Sequence, residues 1–250
     1  MEEISLSSKV IFHVGSWPIC NSVIAAWLAI LVLFLIFYFA TKKMKEIPTG
    51  LQNFAEFVIE ALVNMCQGVT QDRKKAEKFF PWVATFFLFI LIANWMELIP
   101  GFAAFGLKEV VHGKTEIIPL LRSANTDMNT TMAMAIISVF MIQFFGIATI
   151  GFFKHIGKFI NFSSPINFFV GILESISEVA KIISFTFRLF GNIFAGEVLL
   201  VVISFLIPYI IPIPFYGLEL FVGFIQALVF AMLTLVFMTT ATASLEHEGH

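Results

Sequence analysis

The sequence predicts an all-α, polytopic membrane protein with about five transmembrane helices. Three observations carry that expectation. Of 250 residues, 59% are hydrophobic and only 13% charged, against roughly 25% charged in a soluble domain. Mean hydropathy is +0.93, and several segments reach the roughly 20 apolar residues that cross a bilayer core. Barrel strands alternate polar and apolar over about 10 residues, and these runs do not.

The same numbers exclude other classes. A net charge of −2 gives no reason to expect nucleic acid. Two cysteines, Cys20 and Cys66, cannot build a disulfide framework and are expected to be free. His13, His112, His155, His247 and His250 all fall outside the apolar cores, which disfavours a membrane cytochrome with axial histidines. No long internal repeat is visible, against the common secondary-transporter folds. Residues 1–250 read as a single membrane domain.

Residues 1–19 form a short mixed lead with Glu2, Glu3 and Lys9. An acidic start followed by Lys42, Lys43 and Lys45 is a stop-transfer pattern rather than a cleavable leader, so 22–41 is read as a retained first span. Pro48-Thr-Gly50 then opens an amphipathic helix over 50–69. Leu51, Phe54, Val58, Ala61, Leu62 and Met65 mark its apolar face, and Gln52, Asn53, Glu56, Glu60 and Asn64 the other. It is too polar to span and is expected along the membrane surface or against another subunit.

A charged turn from Gln71 to Lys78 precedes a second span over 80–98, closed by Trp95, a residue suited to the interface, and by Pro100-Gly101. Residues 101–127 are a mixed loop, and Asn125-Thr126-Asp127 offers N-cap residues for a third span over 130–152, closed by Lys154 and Lys158. Ser163-Ser164-Pro165 is a helix start. No proline follows until Pro208, so 165–207 is one apolar run. At 1.5 Å per residue it would reach roughly 63 Å, about twice a hydrocarbon core. It either breaks, near Gly191 or Gly196, or lies steeply tilted. A final helix is expected over 215–243, and Glu246-His-Glu-Gly-His250 is a solvated tail.

Nine basic residues (Lys42, Lys43, Lys45, Arg73, Lys74, Lys75, Lys78, Lys154, Lys158) fall on one side of these spans, and four (Lys9, Lys108, Lys114, Arg122) on the other. The positive-inside rule therefore puts the N-terminus outside and the C-terminus in the cytoplasm.

The long run carries an arginine, Arg188, which is costly at bilayer depth and marks a functional site by default. Its neighbours three and four residues away are Ser184, Phe185, Gly191 and Asn192, none of them a carboxylate. Its counter-charge must come from another helix or another chain. Glu174, Glu178, Lys181, Arg188 and Asn192 share one helical face, with Glu197 on the opposite side. Topology sets Glu174 and Glu178 toward the cytoplasm and Glu197 outward, level with Glu219 of the last helix and one turn or two above Gln226. Carboxylates in a half-dry cleft pick up and release protons near neutrality. A fixed cation between two such groups blocks a continuous proton wire and attracts a carboxylate carried past it. The alternatives are ordinary: a Glu178–Lys181 surface pair, a dipole-favoured Glu174, and Asn192 and Gln226 as interhelical glue.

Phe187-Arg188-Leu189-Phe190-Gly191-Asn192 with Ala195-Gly196-Glu197 resembles the signature of the a subunits of F-type ATP synthases, the static half of the membrane motor. Pro48 through Asn53, Asn94 through Gly101, Thr126 through Thr130 and Gln226 through Phe230 resemble further elements of that family, so the likeness covers essentially the whole chain. The resemblance implies a long, tilted C-terminal helical hairpin without a break, facing a ring of c subunits whose ion-carrying carboxylate meets Arg188. It assigns Glu197, Asn192, Glu219 and Gln226 to an outer half-channel, and Glu174 and Ser184 to an inner one. Some members carry histidine at the position of Glu219, where this chain has glutamate. Further implied partners are a b-type peripheral stalk, membrane lipid and, indirectly, the F1 sector; a bacterial plasma membrane is the expected location.

No Gly-rich phosphate loop is present, so the chain is not expected to be an enzyme or to hold a cofactor or metal. Two other readings remain: an ion-coupled secondary transporter with Arg188 as the substrate anion site, and a non-catalytic subunit of a respiratory membrane complex.

Overall fold

Helix follows helix through most of the chain, because apolar segments in lipid must satisfy their backbone groups internally. The computed structural model describes residues 8–99, 101–102, 106–111, 114–159, 164–207 and 210–243, with the backbone alone for Val14, 107–111 and 114–118. Pro100, Ser163, Pro208 and the 244–250 tail lie outside the described residues.

The described helices are α1 (Asn21–Thr41), α2 (Leu51–Thr70), α3 (Arg73–Glu97), α4 (Met128–Ile150), α5 (Phe152–Phe159), α6 (Pro165–Leu206) and α7 (Pro212–Ala243). Five of them, α1, α3, α4, α6 and α7, are long and apolar enough to cross a membrane. The protein is an all-α polytopic membrane protein.

Two antiparallel hairpins replace the irregular lead and loop expected from the sequence. β1 (Val10–Val14) pairs with β2 (Trp17–Cys20), and β3 (Gly106–Val111) with β4 (Lys114–Pro119). Gly15, at φ 64°, supplies the left-handed turn of the first. Both hairpins sit at the end of the bundle where α1 starts and α3 finishes. This hairpin end is opposite the basic end, where Lys42, Lys43 and Lys45 follow α1. The second hairpin is tied to α1, where Asn21 Nδ2 donates to the Pro119 carbonyl at 3.3 Å, and α1 is tied to the start of α4, where Ser22 Oγ donates to Asp127 Oδ2 at 2.6 Å.

Two helix starts and one additional helix differ from the sequence reading for local reasons. Helix α3 starts at Arg73, because the Asp72 carboxylate accepts from Lys74 N at 2.8 Å and caps the charged stretch into the helix. Pro81 then sits inside α3. Helix α7 begins at Pro212, with Pro214 in its first turn, where the missing N–H costs nothing. Helix α5 was not expected at all: Lys154 and Lys158 belong to a separate eight-residue amphipathic helix after Gly151, whose φ of 91° ends α4.

Helix α2 leaves part of its apolar face uncovered and buries one of its polar residues. Gln52 is buried, holding Lys45 N and O at 3.0 and 2.9 Å, while Leu51, Phe54 and Phe57 are exposed. Leu62 and Cys66 turn inward onto Phe79 and Ala76. Burial pushes the Cys66 thiol up to about 11.

The core lies where α3, α4, α6 and α7 meet, around Phe79, Ile90, Ile142, Leu189, Phe230 and Leu235. Lipid is as apolar as leucine, so packing and interhelical hydrogen bonds, rather than expulsion of water, hold such a bundle. Phe185 packs on Phe230 with ring centres 5.0 Å apart. Ser138 and Thr234 share a hydrogen bond at 2.8 Å between α4 and α7. Asn94 Nδ2 donates to the Gly223 carbonyl at 3.0 Å, and Asn125 Nδ2 to Asn94 Oδ1 at 2.7 Å.

Candidate functional site

Helix α6 runs unbroken for 42 residues, through Gly191 and Gly196. The Ser164 side chain accepts from Ile166 N at 3.3 Å and Pro165 occupies the first turn, so the start is well defined. Six of its residues are buried: Gly171, Phe185, Thr186, Leu189, Ile193 and Gly196. They follow one stripe, which turns to α4, α5 and α7. The stripe beside it carries Ser184, Phe187 and Asn192 exposed, with Arg188 half-buried.

Arg188 Nη2 donates to Ser184 Oγ at 3.1 Å, one turn back toward the basic end. Among the described residues no carboxylate forms an ion pair with it. A serine hydroxyl orients the guanidinium but leaves its charge uncompensated.

On the hairpin side of Arg188 the polar groups come from several segments, and all but Asn192 are at least partly covered. Asn192 Nδ2 donates to Gln226 Oε1 at 2.8 Å, bridging α6 to α7 one turn beyond the arginine. Gln226 is 4% exposed, and its Nε2 has no partner among the described residues. Two turns up α7, Glu219 is 7% exposed, its carboxyl packed against Gly196 so closely that any Cβ at 196 would overlap it. The next residue, Glu197, meets Arg122 Nη2 at 3.5 Å. Glu97, at the end of α3, lies within electrostatic reach of Glu197, Glu219 and Arg122. Three carboxylates and one guanidinium thus gather at the hairpin end. Gly223 lets Asn94 approach α7 there, with 3.1 Å between an ideal Cβ and Asn94 Cβ, and Trp95 Nε1 donates to the Leu220 carbonyl at 3.1 Å.

Glu97, Arg122 and the Asn94–Asn125 pair were absent from the sequence-based site. Their signal was present in principle, since Asn94 and Glu97 are polar residues in the last turn of a span. Their convergence with Glu197 depends on packing between segments 75 and more residues apart.

On the basic side the arrangement is simpler. Glu178 Oε1 and Lys181 Nζ pair at 2.6 Å on the same helix, and the ammonium lies 4.7 Å from the centre of the Phe237 ring. Glu174 is exposed. The structure therefore places Glu174, Glu178 and Ser184 on one side of Arg188 and Asn192, Gln226, Glu197 and Glu219 on the other. It brings Asn192 to Gln226 and Glu219 to Gly196. Among the described residues no three His, Cys, Asp or Glu side chains converge as a metal cage.

Such a geometry can hold protons at two separated levels, with a cation on an uncovered face between them. Arginine keeps its charge at any pH a protein meets, so it cannot pass a proton on.

Comparison with known proteins identifies the family. The family model described as ATP synthase A chain matches residues 23–239. An ATP synthase subunit a of Campylobacter jejuni is 33% identical over 96% of this chain and 91% of its own length. That of Campylobacter curvus is 31% identical over 99% of this chain and 100% of its own. That of Moorella thermoacetica is 30% identical over 91% and 93%.

Proposed function

Because the chain belongs to the ATP synthase A chain family, we propose that it is the stator subunit that couples proton flow to rotation of a c-subunit ring through two offset half-paths. It is a membrane subunit without catalytic chemistry of its own. Nucleotide chemistry belongs to other subunits, in the F1 sector.

The observation that carries the proposal is the uncompensated Arg188 on the uncovered face of α6, flanked by polar groups at two levels. A ring carboxylate passing that face supplies the missing charge. At 4 Å, opposite charges attract by about 4 kcal/mol for an effective dielectric near 20, enough to keep an ionised ring site in register without trapping it.

The proton route follows from the hydrogen-bonding groups. On the hairpin side, Glu97, Glu197 and Glu219 take up protons from water. Gln226 and Asn192 then lead from the covered cluster to the face where the ring docks. The ring site leaves protonated, since a neutral acid crosses lipid at less cost than a carboxylate. On its return the proton is released on the basic side, past Ser184 to Glu178 and Glu174. Arg188 stands between the two routes and repels a proton moving directly from one to the other.

The basic end lies in the cytoplasm by the positive-inside rule, with the N-terminus outside and the C-terminus inside a bacterial plasma membrane. The exposed aromatic faces of α1 and α2, including Trp27, Phe34, Phe54 and Phe57, are available to lipid and to a b-type peripheral stalk.

The test is ATP-driven acidification of inverted membrane vesicles carrying Arg188→Ala, with assembly of the complex measured alongside. Pumping should vanish while the complex still assembles. Pumping near the wild-type rate would overturn the barrier role of Arg188.

A further inference from the structure

His155 is a buried titratable side chain that the routes above do not use. Only 5% of it is exposed, although it lies on the short helix α5 at the basic end. Its seat is built by two glycines on two neighbouring helices. The Cε1–Nδ1 edge of the imidazole rests on Gly146 of α4, where a Cβ would come within 2.6 Å of Cε1 and 3.1 Å of Nδ1. One turn further along α5, the Phe159 carbonyl presses on Gly171 of α6, where any Cβ would overlap it. Helix α5 is thus clamped between α4 and α6.

The hydrogen bonds fix the ring's tautomer. Gln143 Oε1 lies 2.6 Å from Nε2 and can only accept, so Nε2 carries the hydrogen. Nδ1 then presents a buried lone pair with no partner among the described residues. Glu178 is seven residues beyond Gly171, two turns along the same face of α6. Its Oε2 is a second buried atom without a partner, its Oε1 being held by Lys181. The charges of both Glu178 and Glu174 act on the imidazole.

We propose that His155 is a proton-binding residue of the basic-end route, exchanging a proton by way of water between Nδ1 and the Glu178 and Glu174 carboxylates. The inference rests on the two-route reading above. In the step, a proton arrives on Nδ1 to give an imidazolium whose Nε2–H stays on Gln143. It departs to a carboxylate or to water, restoring the neutral ring, and no other bond changes.

Every charged group facing the ring has a defined sign of effect. Burial, first, and then Lys158 on its own helix hold the imidazole below its ordinary range, while Glu178 and Glu174 of α6 pull it upward. Helix α4 contributes no charge. Burial therefore favours the neutral ring.

Inverted vesicles present the basic end to the bath, so its pH can be varied at a fixed lumen pH. His247 and His250 are first replaced by alanine, leaving His155 as the histidine on that side. The pumping rate should then show an ionisation with a midpoint below the usual histidine range. In His155→Gln, which keeps a polar side chain on Gln143 but cannot become a cation there, that ionisation should be lost while assembly and the lumen-side profile persist. In Gly146→Ala, which crowds the imidazole out of its seat, the midpoint should move. An unchanged bath-side profile in His155→Gln would overturn the proposal. So would the absence of any such ionisation in the parent, a readout that needs no further variant to fold. Either result leaves the Arg188→Ala outcome untouched, so failure of this inference is distinct from failure of the coupling role.

Discussion

The two ends of α6 solve the same problem, charge at the edge of a membrane, in different ways. At the basic end, Glu178 finds Lys181 three residues along its own helix. At the hairpin end, Glu197 finds Arg122 75 residues away in sequence, Glu219 is lodged against a glycine of a neighbouring helix, and Glu97 arrives from α3. A local pair forms wherever the helix forms. An assembled cluster exists only if four separate segments pack correctly, so it tolerates far less change.

Substitutions sharpen that contrast. The largest effect is expected from Gly196→Val. Its branched Cβ occupies the space of the Glu219 carboxyl, an overpacking of about 1–3 kcal/mol that also displaces the carboxyl from the route. Proton conduction through the assembled membrane sector should fall by about tenfold or more, whereas Gly191→Ala, with open space around its Cα, should conduct normally. Equal conduction in the two variants would break the comparison.

Next comes Asn94→Leu. It removes the hydrogen bonds to Gly223 and Asn125 and leaves buried partners unsatisfied, at about 1–3 kcal/mol. Thermal unfolding in detergent should occur at a lower temperature, and the Arg122–Glu197 pair above it should lose its effect on conduction.

Smallest is Lys181→Ala at the basic end. The pair forms within one helix, and only the ammonium's contact with the Phe237 ring reaches a neighbour, so the melting temperature should fall less than in Asn94→Leu. A drop as large as that of Asn94→Leu would show that the basic end, too, depends on assembly.

Much of this was legible in the chain. The apolar runs specify the five long helices, because a bilayer admits no other backbone solution. Arg188 stood out because its own helix holds no carboxylate within reach, and the structure leaves it with a serine hydroxyl. The all-α class and the family were readable from the same stretch. Helix α5 was hidden because eight residues with two lysines look like the fraying end of a span. The burial of Gln52 was not legible because its side chain satisfies a turn, and hydropathy cannot see that. Glu97 and Arg122 escaped notice because each is unremarkable beside its sequence neighbours.

What the sequence by itself determined is therefore periodic or local: which segments are helices, the uncancelled cation in the longest of them, and the Glu178–Lys181 pair one turn apart. Tertiary structure alone decided which polar groups meet. It put Glu219 on Gly196, Arg122 on Glu197, Asn192 on Gln226 and His155 into its seat on Gly146. The physical reason is that a helix fixes neighbours three and four residues apart by its own geometry. Contacts between helices depend on the rotation and depth of each one, which are set by the shapes of many side chains at once.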